Sequence, residues 1–183
     1  RDADVFVSLE DRVRLAHQRG ADVFISLHAD ALAQGVAHGA RIFTLSDEAS
    51  DAASAALAER HDRLDILSGI DLNGADDVVT DVLLDLARLE TAPRARALAK
   101  SVLAGIENAT GDLYKLPLQQ AAFSVLKAAD IPSILVEAGF LSTDQDLDNL
   151  VDPLWRAGFI AGLRDGLAAW VISDRAEAVL RRR

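Results

Sequence analysis

The sequence contains no cysteine, and its basic residues are outnumbered by acidic ones. Without cysteine the chain can form neither a disulfide framework nor a thiolate metal site, and this absence does not decide between an oxidising and a reducing compartment. Nineteen basic against 29 acidic residues give a formal charge of −10. Such a charge argues against nucleic acid or an anionic membrane as partner, because phosphate binding needs a basic surface. No run of 18 apolar residues occurs, so no segment is predicted to span a membrane.

Methionine is absent too, and the chain begins with Arg1, inside what reads as the interior of a domain. We therefore expect the natural protein to start further upstream, so that the lack of a signal peptide says nothing about export. The 183 residues, half of them hydrophobic, suffice for one core of good size. Strand-like and helix-like segments alternate without repeats, which predicts a single α/β domain.

The most informative stretch covers residues 131 to 143, IPSILVEAGFLST. After Pro132, a short apolar run predicts a buried strand, and Glu137 stands at its carboxyl end. An ionised glutamate at the end of a buried strand needs a cation or several hydrogen-bond donors nearby. The ordinary alternative is a glutamate that caps a neighbouring helix or reaches water.

A second stretch, residues 21 to 30 (ADVFISLHAD), has the same design, with His28 where an apolar strand ends. Taken alone, such a histidine is most often a hydrogen-bonded structural residue. Two buried strands that each deliver one such group are more informative, because catalytic groups gather at the carboxyl ends of strands. Imidazole suits Zn²⁺, and a carboxylate outside the ligand shell suits a general base that activates water.

Two long runs carry a family resemblance: residues 5 to 31 (VFVSLEDRVRLAHQRGADVFISLHADA) and residues 123 to 143 (FSVLKAADIPSILVEAGFLST). The chain resembles the zinc-dependent N-acetylmuramoyl-L-alanine amidases of the amidase_3 type, from Arg1 to about Trp170. Those enzymes cleave the bond between the lactyl group of muramic acid and the first L-alanine of the peptidoglycan stem peptide. The insertion at about 47–92 resembles the division-associated branch found in Gram-negative bacteria.

This resemblance implies a twisted, mainly parallel sheet with helices on both faces and an inserted helical segment. We expect residues 1–172 to form an amidase catalytic domain that lacks its first strand, which would leave a sheet edge uncovered. The expected partners are peptidoglycan and an activator protein of the LytM type. The family also implies a periplasmic location and a role in cell-wall remodelling and daughter-cell separation.

The resemblance further implies that His28 is a zinc ligand and that Glu137 is the general base. The family's two other zinc ligands, a histidine and a glutamate, would lie upstream of Arg1. We therefore expect this chain to carry one family ligand of three, to bind zinc weakly or not at all, and to be inactive alone. The alternative is a non-catalytic remnant that binds peptidoglycan or an activator. The other three histidines lack matching neighbours, and we expect His61 to face solvent.

The inserted segment holds a further candidate. Ser46 is predicted to cap an alanine-rich helix from Asp47 to about Arg60. In the division branch an inserted helical segment blocks the site and supplies a carboxylate to the zinc. By position, Glu48 is our candidate for that autoinhibitory carboxylate, with Asp47 as the alternative. The competing interpretation is that both acids only complement the helix dipole.

Several local elements are also predicted. A second inserted helix, from Ala75 to about Glu90, presents an apolar stripe that could be core or an activator-binding face. The remaining predictions are a helix capped by Ser8 and ended by Gly20, a strand over 40–45, a helix restarting at Thr91 and Pro93, a loop over 110–120, a strand over 122–127, a capping box of Thr143 and Asp146, a helix start at Asp152 and Pro153, and a charged tail, frayed or a linker, over 173–183.

Overall fold

The computed structural model describes residues 5–31, 37–67, 78–128 and 130–181, and it shows one α/β domain, as predicted. Ser8 caps the first helix by accepting a hydrogen bond from the Asp11 amide at 3.1 Å, and Gly20 follows the helix with a φ of 60°. The elements are α1 (Leu9–Gln18), β1 (Phe24–Asp30), β2 (Ala40–Leu45), α2 (Ala52–Leu67), α3 (Val78–Thr110), β3 (Leu113–Ala121), a 3₁₀ turn (Ser124–Leu126), β4 (Ser133–Phe140), α4 (Asp144–Val151) and α5 (Pro153–Arg181).

The four strands form one sheet in the order β1-β4-β2-β3. The pairs β1–β4 and β2–β3 are parallel, whereas β2 runs antiparallel to β4, so the sheet is mixed with more parallel pairs than antiparallel. All eight residues of β4 are buried, because this strand has a neighbour on each side and helices on each face. The strand that carries Glu137 is therefore an internal strand of the sheet.

Helices cover both faces of the sheet, as predicted. Ile42 and Val136 point to one face and pack with Leu98 and Val102 of α3 and with Trp170 of α5. The next residues along the same strands, Phe43 and Leu135, point to the other face because side chains alternate along a strand. There they pack with residues of α1, α2 and the 3₁₀ turn: Leu9, Leu57, Ala58, Phe123 and Leu126.

Helices α3 and α5 approach each other closely through glycines. A Cβ atom at Gly105 would lie 2.2 Å from the carbonyl oxygen of Gly162, and one at Gly166 would lie 2.5 Å from the carbonyl oxygen of Ser101. The two helices thus touch backbone to backbone, which a side chain at these positions would prevent. At the far end of the pair, the Arg94 guanidinium donates two hydrogen bonds of 2.9 Å to the carboxylate of Asp174.

The predicted loop over 110–120 is wrong, because residues 113–121 form β3. Pro117 favoured a loop, since proline lacks the amide that a ladder requires. However, β3 is an edge strand of the described sheet, where proline is tolerated. The strand expected over 122–127 is also wrong, because a 3₁₀ turn there buries Val125 and Leu126 against the sheet.

The helices of the insertion begin and end elsewhere than predicted. The Oγ atom of Ser46 accepts the amide of Glu48, but α2 starts at Ala52, because Asp51 accepts the Ser54 amide at 2.7 Å. The predicted start of the second inserted helix, residues 73–77, lies outside the described residues. No restart occurs at Pro93, since α3 continues through it.

The carboxyl-terminal segments give one correction and one confirmation. Asp146 does not form a capping box with Thr143. The residue is 2% exposed, and its carboxylate accepts hydrogen bonds from the amides of Gly39 and Phe140. Asp152 caps α5 as predicted, because its two carboxylate oxygens accept hydrogen bonds from the backbone amides of Leu154 and Trp155. The expected tail does not fray at 173, because α5 extends to Arg181. No helix among the described residues is long and apolar enough to cross a membrane.

Candidate metal and catalytic site

His28 and Glu137 lie side by side in the carboxyl-terminal halves of neighbouring strands, two and three residues before the strands end. Strands β1 and β4 are parallel, and their register pairs the Cα atoms of these two residues. Because directly paired residues point to the same face of a sheet, both side chains reach the same space. The structure thus brings together the two groups that the sequence placed at two strand ends.

The carboxyl group of Glu137 is completely buried. Its side chain is 0% exposed, and neither carboxylate oxygen has a hydrogen-bond partner in the described part of the chain. Burial, followed by the negative charge of Asp30, raises the pKa of Glu137, while the positive charge of Arg41 lowers it in part. A carboxylate without donors in such a place is costly, so the site favours either a proton or a cation on Glu137.

Arg41 faces Glu137 from the opposite side of β4, since β2 pairs its Cα with that of Glu137. Its guanidinium lies 4.8 Å from the ring centres of both Phe43 and Phe140, and it donates to Gln119 at 3.3 Å. Stacked in this way, the side chain is only 3% exposed. The Arg41 guanidinium therefore places a positive charge on the β2 side of Glu137.

His61 enters the site from α2, and the prediction that it faces solvent is wrong. Its side chain is 11% exposed, and its Nε2 lies 2.7 Å from an oxygen of Asp30 and 4.0 Å from an oxygen of Glu137. Its ring meets the ring of His28 edge-on, with 4.6 Å between centres, and also contacts Phe123. The residue is buried because it fills the gap between α2 and the strand ends.

A sequence signal for His61 does exist, although it is weak. Leu57 and Ala58 are buried on α2, and His61 follows them by four and three positions. Residues at these spacings share one face of a helix, so the histidine lies on the packed face. The sequence alone does not say where that face packs.

Asp30 links the strand end to α2. It accepts a hydrogen bond from His61 and lies 3.4 Å from the Arg60 guanidinium. Burial alone would raise the pKa of Asp30, but the hydrogen bond and positive charge of His61, together with Arg60, outweigh burial and lower it. Of the two neighbouring carboxyl groups, Asp30 is therefore the one that ionises first.

His28 is held by its own strand. Its Nε2 lies 2.7 Å from the Oγ of Ser26, two residues earlier on the same face. Burial, and then the positive charge of His61, lower the pKa of His28 to about 4. Its imidazole is therefore neutral at physiological pH, which is the form that binds metal ions.

The arrangement fits a divalent metal ion. His28, His61 and Glu137 each offer one ligand atom, and these atoms lie within 4.8 Å of one another. Two imidazoles with a carboxylate are a donor set that suits Zn²⁺. The partnerless oxygens of Glu137 are the specific sign, because a nearby cation would satisfy them. An open cavity of about 590 Å³ borders the site along β1, lined by His28, Asp30 and His61.

Glu48 is not part of this group. It is exposed and follows β2, which runs antiparallel to β4, so it lies at the opposite end of the sheet from Glu137. The alternative residue, Asp47, lines a different cavity together with Ser133, the first residue of β4. The structure thus does not bring either acid to His28.

A second group of metal-type side chains, His38, Asp112 and Asp146, lies elsewhere. Asp146 already accepts the two backbone amides described above, and His38 hydrogen-bonds Asp112 at 3.3 Å with its side chain half exposed. These contacts account for the group without a metal.

The chain is similar to known proteins over almost its whole length. Residues 1–169 match the family model Amidase_3, described as N-acetylmuramoyl-L-alanine amidase. The curated relatives include the N-acetylmuramoyl-L-alanine amidase AmiA of Escherichia coli, 34% identical over 93% of this chain and 59% of the relative. AmiC of Neisseria meningitidis is 33% identical over 93% of this chain and 41% of the relative. The chain thus spans about three fifths or less of these relatives.

Solved structures share the fold. An N-acetylmuramoyl-L-alanine amidase from Clostridium difficile matches with a TM-score of 0.63 at 22% identity, over 94% of this chain and 70% of that one. AmiC2 of Nostoc punctiforme also matches with a TM-score of 0.63, at 20% identity, over 93% of this chain and 69% of that one. The sheet, the site at its strand ends and these matches agree, and the chain belongs to the Amidase_3 family of N-acetylmuramoyl-L-alanine amidases.

Proposed function

We propose that this chain is the catalytic part of a zinc-dependent amidase. It would hydrolyse the bond between N-acetylmuramic acid and L-alanine in peptidoglycan, the activity after which its relatives are named. The observation that carries the proposal is the buried, partnerless carboxyl group of Glu137 beside His28. Family membership alone supplies the substrate class, and the geometry supplies a metal-type ligand next to a base.

In this proposal His28 holds the zinc ion, and Glu137 is the general base. When bound, zinc supplies a polarised water and polarises the amide carbonyl. Glu137 accepts the proton of the attacking water and returns it to the leaving amine. Burial favours this role, because a base without competing donors keeps its proton affinity high. The positive charge of Arg41 lowers the pKa of Glu137 in part, and a bound cation would favour the ionised form further.

The variant Glu137→Gln tests the base role. We expect it to reduce turnover by about 10²–10⁴-fold, because the amide cannot take a proton. Metal content should remain near that of the unaltered protein. The measurement is release of stem peptides from purified peptidoglycan, with elemental analysis of the same samples. The control is Glu107→Gln, which removes an exposed carboxylate from α3. Turnover in the Glu137 variant equal to that of the control would exclude the base role.

Because two further zinc ligands are expected only from the family resemblance, the assay should be run on this chain and on one extended upstream. If only the extended chain hydrolyses peptidoglycan, the amidase proposal stands and the remaining zinc ligands lie in the added upstream segment. If neither hydrolyses it while both bind it, the chain is instead a peptidoglycan-binding module.

The autoinhibitory role of Glu48 stays a prediction. It requires residues 46–51 to move, since the structure places Glu48 at the far end of the sheet from His28. In the intact enzyme, Glu48→Ala should raise the basal activity if the carboxylate blocks the site. Unchanged basal activity would exclude an autoinhibitory role and leave Glu48 as an exposed residue before α2.

We also propose that the intact protein acts in the periplasm during daughter-cell separation, under control of a LytM-type activator. The support is the similarity to AmiA and AmiC of Gram-negative bacteria and the inserted helices. In the predicted activator stripe, Leu89 is 74% exposed, while the side chains of Val78, Val82 and Leu86 lie outside the described part. Fractionation of cells that carry the tagged intact protein tests the location.

A further inference from the structure

His61 occupies a place that the established roles do not explain. It lies on α2, far along the chain from both strand-end groups, yet its ring touches His28 and approaches Glu137. A histidine in a helix–sheet gap is ordinarily explained by packing alone. Here the ring also shares a metal-sized space with an imidazole and a carboxylate whose oxygens have no partner.

The hydrogen bond between His61 and Asp30 is typical of a histidine that binds a metal ion. Metal-binding histidines almost always donate their second ring nitrogen to a carboxylate or carbonyl, which fixes the ring and raises its basicity. In His61, Nε2 bonds Asp30 at 2.7 Å and lies 4.0 Å from an oxygen of Glu137, so the contact with Asp30 fixes the ring beside the site. The aspartate is thus a positioning residue for the imidazole.

We infer that His61 is a ligand of the metal ion at this site, and that it is held in place by Asp30. The inference rests on the proposed zinc site, and it adds a ligand from α2 that the sequence motifs do not contain. With it, the chain contributes two imidazoles from two different elements. A zinc ion bound by both would join α2 to the end of β1.

The neighbouring residue on α2 supports this joining role. Arg60 donates a hydrogen bond of 2.8 Å to the carbonyl oxygen of Ala31, just beyond β1. Two successive residues of α2, Arg60 and His61, therefore both form hydrogen bonds with residues at the end of β1. Docking of α2 and occupancy of the metal site should be coupled, because binding that requires two elements stabilises their contact.

The test is an equilibrium titration of the full chain with Zn²⁺, followed by competition with a chromophoric chelator, and with Co²⁺, followed by its visible absorption. We expect His61→Ala to weaken zinc affinity by at least about 10-fold, and Asp30→Asn by about 10–100-fold. The matched control is His17→Ala, which removes a histidine of α1 that also hydrogen-bonds an aspartate, Asp130, but is half exposed and outside the site. The control should keep the unaltered affinity.

Because His61 also packs against Phe123, the alanine variant could lose structure. His61→Phe retains an aromatic ring and lacks ligand nitrogens, so it should fold and still bind zinc at least about 10-fold more weakly. Hydrogen exchange gives a second measurement: zinc should slow exchange of the α2 amides several-fold in the unaltered chain and leave them unchanged in His61→Phe. Equal affinities for His61→Phe and the control would overturn the inference.

The variant His28→Ala separates failure of this inference from failure of the zinc site. If His28→Ala loses affinity and His61→Phe does not, the zinc site stands and His61 is only an ion-pair partner of Asp30. If neither variant changes affinity, or if neither this chain nor one extended upstream shows saturable binding, both the site and the ligand role are wrong. The hydrolysis assay with Glu137→Gln remains an independent measure of the proposed reaction.

Discussion

Replacing Glu137 with glutamine should stabilise the metal-free protein, in contrast to its effect on turnover. The raised pKa keeps Glu137 protonated in the folded protein at pH values where the unfolded chain, with the ordinary value of 4.5, has lost that proton. The folded state then binds more protons than the unfolded state. Consequently the free energy of unfolding falls as pH rises from about 4.5 towards the raised value.

The magnitude follows from this proton difference. One proton corresponds to roughly 1.4 kcal/mol per pH unit, so the Glu137 contribution should fall by about 2 kcal/mol between pH 5 and pH 7. The side chain is 0% exposed, and solvent therefore does not screen it. A glutamine does not titrate, and its amide can donate a hydrogen bond to the neighbouring Asp30 carboxylate. The free energy of unfolding of the variant, relative to that of the unaltered protein, should thus increase as pH rises.

The assay is urea denaturation of both proteins at several pH values, with EDTA present to remove divalent ions. The difference between the two unfolding free energies should grow by about 2 kcal/mol over this pH range, since all other titrating groups are common to both. Parallel curves would refute the reasoning, because they would mean that Glu137 ionises normally in the folded protein. Adding zinc should reduce the difference, because a bound cation stabilises the ionised glutamate.

Two further predictions concern packing away from the site. Gly105→Ala should destabilise the protein by about 1–3 kcal/mol, because the added methyl group collides with the backbone of α5. Gly158→Ala, the control, should be neutral or stabilise the protein by up to about 1 kcal/mol, since the nearest neighbour of its added Cβ is 3.9 Å away. The midpoints of urea denaturation measure both effects, and equal losses of stability would contradict the prediction. Asp146→Ala should cost about 2–4 kcal/mol, because two buried amides lose their acceptor, while Asp144→Ala should cost less than about 0.5 kcal/mol at an exposed first-turn position. A small effect at Asp146 would show that water replaces the carboxylate.

Local patterns in the sequence determined a large part of the site. Two apolar, β-rich runs predicted buried strands that end at His28 and Glu137. The structure confirms the burial of β4, but β1 is an edge strand of the described sheet with half-buried residues and an exposed Leu27, and both strands continue for two or three residues beyond the predicted ends. Their meeting could be expected because a parallel pair puts both carboxyl ends at one edge, and the structure confirms this register. Helix caps at Ser8 and Asp152 were also readable, since a cap depends on only three or four consecutive residues.

Contacts between distant elements were decided by the tertiary structure. His61 reads as a surface residue until α2 is packed on the strand ends, where Asp30 and His28 meet it. Asp146 reads as part of a capping box, but it turns inward because the amide of Gly39, which is far away in sequence, needs an acceptor.

The sequence by itself thus determined the buried strand β4, the two site groups His28 and Glu137, and the family that the chain resembles. The tertiary structure alone decided that β2 runs antiparallel to β4, which places Glu48 at the far end of the sheet, and that α2 brings His61 to Glu137. The physical reason is the range of the interactions. Periodicity and capping act within a few residues, whereas the partner of a buried face is selected by packing and by buried polar groups across the whole fold.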